Sequence, residues 1–145
     1  MSTGLKVVLI LLVLGVLACG GVLVASKAWF EANKDELAAM GIQATEDGEA
    51  FGLGVEQAGC VNEGLSRVDS CGELDPMCEA PIGIFIEACL GTAAPTPGFC
   101  DGVPAPESIV DSATWRVGTC QNLGRANDEA CGRMLGSVQE YCKSL

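Results

Sequence analysis

The sequence predicts an all-α protein: an N-terminal single transmembrane helix followed by a small disulfide-stapled domain of four helices, arranged as two helical hairpins. Three observations predict it. The run from Val7 to Ala25 contains no charged residue and is bracketed by Lys6 and Lys27. Eight of the nine cysteines fall in three runs, Cys60 and Cys71, then Cys78, Cys89 and Cys100, then Cys120, Cys131 and Cys142, with ten residues between neighbours in each. Eleven residues of α-helix turn only about 20° past three full turns, so cysteines at that interval share one helical face. Between them, apolar residues recur at three- and four-residue steps.

The 145 residues divide accordingly into a short cytoplasmic N-terminus (1–6), a transmembrane helix (7–26), a juxtamembrane helix with an acidic connector (27–47) and a disulfide-rich helical domain (48–145). Nineteen uncharged residues come close to spanning a hydrocarbon layer of about 30 Å. Trp29 and Phe30 follow at headgroup level, and the helix continues through Leu37 to Met40, where Gly41 is expected to stop it. Two other readings compete for the same run. Val16-Leu17-Ala18-Cys19 resembles the lipobox of bacterial lipoproteins, which would place a lipid on Cys19. Val24-Ala25-Ser26 would serve as the cleavage site of a secretory signal. All three put the cysteines from Cys60 onward outside the cytoplasm, in the periplasm or another oxidising space, where such a density of thiols is expected as bridges.

Thr45-Glu46-Asp47-Gly48-Glu49 reads as the connector. Phe51, Val55, Ala58, Val61, Leu65 and Val68 then mark a first core helix ending near Gly72, with Gly64 between two cysteines for close approach of another backbone. Asp75-Pro76 is an N-cap followed by a first-turn proline. Pro81 lies deeper, so a kink, or a separate turn before a helix from about Ala80 to Leu90, is expected. Prolines and glycines from Gly91 to Pro106 make a long loop tied down by Cys100. Pro106-Glu107 opens the third helix, with Ile109, Ala113, Val117 and Cys120 on one stripe. Asn127-Asp128-Glu129 opens the fourth, with Cys131, Leu135, Val138 and Cys142 inward.

Cysteines eleven apart on one helix are roughly 16 Å apart, far beyond the approximately 7 Å limit on the Cα separation of a bridge. Antiparallel helices with equal spacing can be bolted at both ends. This selects Cys71 with Cys78 near the first turn and Cys60 with Cys89 at its far end. Cys120 with Cys131 spans the second turn, leaving Cys100 for Cys142, although Cys100 in its loop could instead reach Cys120.

The chemistry is sparse. There is no histidine, which removes the commonest general base and proton shuttle. No Cys-x-x-Cys occurs, so neither a thiol oxidoreductase nor a zinc knuckle is indicated. Glu46, Asp47 and Glu49, and Glu73, Asp75 and Glu79, form two acidic groups, but neither matches a calcium loop and acids gather at helix starts for dipole reasons. No catalytic residue, metal site or cofactor is therefore assigned, and the chain is not read as an enzyme. All nineteen acidic residues lie after the span, against six Lys or Arg from Ala28 onward, which disfavours nucleic acid and anionic lipid as partners. Trp115, off the predicted stripe, either fills a gap against the other hairpin or forms an exposed partner contact with Arg116, and Phe99 in the Cys100 loop is a second candidate contact where simple connection is the alternative.

Paired cysteines on antiparallel helices resemble the coiled-coil-helix-coiled-coil-helix proteins in outline, although those use nine intervening residues. Eight cysteines on four helices are similar to plant lipid-transfer proteins, whose adjacent Cys-Cys and Cys-x-Cys are absent here. Neither resemblance assigns a role to a residue. The expected function is a non-enzymatic interaction or accessory subunit of the cell envelope, held in the membrane through 7–26 and bound to a protein partner. The alternatives are a small hydrophobic-ligand binder with a cavity lined by Phe85, Ile86, Val117 and Leu135, or a carboxylate hydrolase with acids from different helices.

Overall fold

The computed structural model describes the backbone of residues 3–72 and 75–145, and the side chains of residues 26–72 and 75–145. Five helices follow in order: α1 (Thr3–Gly52), α2 (Gln57–Val68), α3 (Pro76–Thr92), α4 (Ile109–Asn122) and α5 (Glu129–Lys143). No strand forms among the described residues; an isolated bridge pairs Glu56 with Ala94, whose N–H donates to the Val55 carbonyl at 2.9 Å.

The chain divides into two compact units, the first reaching Ala39 and the second running from Met40 to Leu145. In the first, Trp29 and Phe30 are exposed, the Asn33 amide donates to the Trp29 carbonyl at 2.7 Å, and Lys34 pairs with Glu31 at 3.2 Å. The apolar run 7–25, with Cys19, lies outside the residues whose side chains are described. Among the described residues no helix is long and apolar enough to cross a membrane.

In the second unit α1 does not stop at Gly41, and Thr45–Glu49 is helix, not connector. The reason is a stripe of small residues at three- and four-residue steps, Gly41, Ala44, Gly48 and Gly52, which lies against α3. A Cβ on Gly48 would come within 2.5 Å of the Phe85 carbonyl oxygen, and one on Gly52 within 2.4 Å of the Cys89 carbonyl oxygen. Only glycine permits that approach. The Thr92 hydroxyl closes the contact by donating to the Glu49 carbonyl at 3.0 Å. Phe51 therefore belongs to α1, where its ring meets Phe85 at 5.7 Å, and α2 begins only at Gln57.

Helix α3 starts as its sequence directs, with the Asp75 carboxylate accepting the Cys78 N–H at 3.1 Å and Pro76 in the first turn. It then runs unbroken through Pro81 to Thr92, with neither a separate turn nor a strand over Ile82–Ile86. Pro81 leaves the Met77 carbonyl without its helical donor, and Met77 lies on the exposed side. Ile82, Phe85, Ile86, Cys89 and Leu90 are buried between α2 and α5, which makes α3 the central element. Gly64 gives room to the Ile86 side chain, not to a backbone; a Cβ there would lie 2.4 Å from it.

The structure bonds Cys60 to Cys89, Cys71 to Cys78, Cys100 to Cys142 and Cys120 to Cys131, the pairing that helical spacing selects. Both bridges of the α2–α3 hairpin stay within it, and both bridges of the second half stay within that half. Four such bridges indicate an oxidising, non-cytoplasmic space. Between the halves, α5 packs along α3 and α2 through Met134, Leu135 and Val138.

Helix α4 begins at Ile109 after Ser108, not at Pro106, and ends in a Schellman motif. Gly124, at φ +75°, donates to the Gln121 carbonyl and Arg125 to the Cys120 carbonyl at 2.8 Å. Of the expected stripe only Cys120 faces inward. Ser112 and Cys120 are buried, whereas Ile109, Val110 and Val117 are 80%, 77% and 58% exposed. Polar side chains hold α4 down together with Trp115 and the Cys120–Cys131 bridge. The fully buried Gln139 of α5 donates to the Ser112 hydroxyl and to the Pro104 carbonyl, both at 2.9 Å, and accepts from Arg116 Nε at 2.6 Å.

Candidate functional site

Two surface features of the second unit concentrate charge or unpartnered apolar area. The first is a polar cleft of about 520 Å³ where the turns of both hairpins meet, lined by Asp69, Cys71 and Gly72 from the first turn, Glu79 from α3, and Arg125, Asp128, Glu129 and Arg133 from the second turn and α5. Local sequence builds it. Asp69 is the C-cap of α2, Arg125 closes the Schellman motif of α4, and Asp128 caps α5 by accepting the Cys131 N–H at 3.0 Å. Asn127, in the left-handed region at φ 62°, turns the chain between them.

Both arginines are fully engaged. Arg125 meets Asp69 through two nitrogens, one at 3.0 Å, and Asp128 through Nε at 2.6 Å. Arg133 grips the buried Glu79 with Nε at 2.6 Å and a terminal nitrogen at 2.7 Å. This geometry sets the proton affinities. Hydrogen bonds from Arg125 hold the Asp69 carboxyl below its usual range, and those from Arg133 do the same for Glu79 against the cost of burial. For Asp128, burial pushes upward but is outweighed by the Cys131 amide and Arg125, so its carboxyl also lies low. Acids from three helices thus share one cleft, as a carboxylate hydrolase would require. A general acid, however, needs a raised pKa near neutrality, and these three are shifted the other way. Their arrangement suits ion pairing between the hairpins. No group of residues that could hold a metal ion occurs among the described residues.

The second feature is the outward side of α4. Ile109, Val110, Ala113 and Val117 form an exposed stripe, and beside it lies a groove of about 330 Å³ lined by Arg116, Val117, Cys120, Asn127, Asp128, Glu129 and Gly132. Of the candidate contacts chosen from sequence, Arg116 lines this groove and the other two lie elsewhere. Trp115 is half-buried against the core, Arg116 turns inward to Gln139, and Phe99 packs edge-on to Tyr141 at 6.4 Å between ring centres. Nor do Phe85, Ile86, Val117 and Leu135 surround a common cavity: three are packed in the core and Val117 faces outward. Helical periodicity pointed to the correct residues of α4 but to the wrong side of the surface. The signal that could have corrected it is Gln139, a polar residue among the inward positions of α5 that demands polar partners from α4. Compared with known proteins, the chain matches no family model, no curated protein and no solved structure.

Proposed function

We propose that this chain is a membrane-anchored docking subunit, non-enzymatic, whose helical domain works in the periplasm or an equivalent oxidising space and binds a protein partner of an envelope complex. One observation carries the reading: α4 is held to the domain through Ser112, Trp115, Arg116 and the Cys120 bridge, while Ile109, Val110, Ala113 and Val117 are left to solvent. Scattered exposed apolar residues are ordinary, but a contiguous stripe on one helix marks an interaction surface. Ion-paired carboxylates in the polar cleft, already committed to holding the hairpins together, favour binding over chemistry. The anchor rests on the uncharged run 7–25 between Lys6 and Lys27, with lipidated Cys19 as the variant form of attachment.

Extraction of native membranes with mild detergent, followed by affinity capture of the full chain, tests the reading. A partner recovered in fixed proportion is the expected result; recovery of the chain alone under every extraction condition would overturn it. Intact mass of the captured protein separates an uncleaved span from a lipid on Cys19.

A further inference from the structure

We infer that the outward face of α4 docks a cationic amphipathic helix of the partner protein. The inference rests on the docking reading above and adds the surface and the chemistry of what covers it. From Ile109 to Val117 the exposed stripe extends about 12 Å, two helical turns, which matches apolar residues at i, i+3 or i+4, and i+7 of a second helix. The stripe carries no base. Glu129, exposed and only loosely met by Arg133 at 3.7 Å, lines the groove that continues from Val117, beside Asp128, which Arg125 already holds. Arg116, which also lines that groove, turns its guanidinium onto Gly136 and Gln139.

The charge balance of the unit points the same way. From Met40 onward there are sixteen carboxylates and five bases. Each base already has a side-chain partner: Arg67 with Glu63, Arg116 with Gln139, Arg125 with Asp69 and Asp128, Arg133 with Glu79, and Lys143 with Glu107. Four of the five bases are matched to carboxylates and the fifth, Arg116, is held by the neutral Gln139, so the unit keeps an excess of eleven negative charges and its field favours a cationic partner. A second copy seated symmetrically on this face would bring two strongly acidic units together, with Glu129 of each near the contact. Anionic lipid would meet the same repulsion. Lysines or arginines flanking an apolar stripe satisfy both the shape and the charge.

The test uses the full chain in phosphatidylcholine nanodiscs, with a benzophenone amino acid replacing Val110, or replacing the exposed Glu87 of α3 as the control position. The probes are an eighteen-residue leucine–lysine helix and its leucine–glutamate twin. We expect adducts from position 110 with the lysine peptide to exceed those with the twin, and those from position 87, by about tenfold, and to fall about fivefold with Val117→Ser or at high salt. Equal labelling by both peptides, chain-to-chain adducts or lipid adducts from position 110 would each overturn the inference. In native membranes, partner adducts from other positions but none from 110 would remove this surface alone. Absence of partner adducts at every position would remove the docking reading with it.

Discussion

Glu79 shows how a single residue changes meaning between sequence and structure. In sequence it is one of three acids around a helix start, and Asp75 beside it does serve as a cap. In the fold Glu79 is buried and gripped at two oxygens by Arg133 from the other half of the domain. No local rule gives that partner, because it comes from fifty-four residues away. Asp69, Glu79 and Asp128 all titrate below their ordinary values, so their stabilisation is complete above the unfolded-state range near pH 4 and is lost as pH falls through the lower folded-state values. With no histidine in the chain, urea midpoints should be flat from pH 6 to about 7.5 and drop below about pH 4. Glu79→Gln should cost about 1 kcal/mol at neutral pH, the exposed partner keeping the value small, and should narrow the difference between neutral and acid midpoints. An unchanged difference would show that the pair contributes nothing.

At the scale of elements, the helix starts that carry side-chain caps were legible, whereas α2 and α4 begin later than their apolar stripes suggested, at Gln57 and Ile109. Asp75-Pro76 and Asp128-Glu129 open α3 and α5 because side-chain caps are local chemistry. Gly41 was misread because local chemistry offers two meanings for a glycine, a stop or a close approach, and only the packing of α1 on α3 selects the second. The face of α4 was misread for a related reason: amphipathicity identifies an apolar side but not whether this chain is what covers it. Two glycines test the account. Gly48→Ala should destabilise by about 2 kcal/mol or more, since the added carbon meets the Phe85 backbone. Gly118→Ala, in the interior of α4 with open space around it, should stabilise by about 0.5–1 kcal/mol. Thermal midpoints of the two variants should therefore move in opposite directions, and a Gly48→Ala variant as stable as the parent would refute the α1–α3 contact as described.

For the whole molecule the cysteine interval was the most informative pattern, since a helical repeat constrains distant residues as firmly as neighbouring ones. It gave the two hairpins and their bridges; it could not give the packing of one hairpin on the other, which depends on α3, α5 and the ion pairs between turns. Loop-closure entropy ranks the bridges. Cys100–Cys142 and Cys71–Cys78 close separations of 42 and 7 residues, so removing the first pair should cost about 4 kcal/mol and the second about 2.5 kcal/mol. Double alanine variants compared by urea denaturation would check that order. Because every bridge stays within its own half, the covalent graph has a seam between Leu90 and Phe99. A single proteolytic cut there, in the exposed Pro95–Gly98 stretch, should yield two fragments that part in denaturant without reductant. A cut at Asp111 should leave the pieces tied. The domain is thus two separately laced parcels joined by one stretch of backbone, by packing and by the ion pairs between their turns.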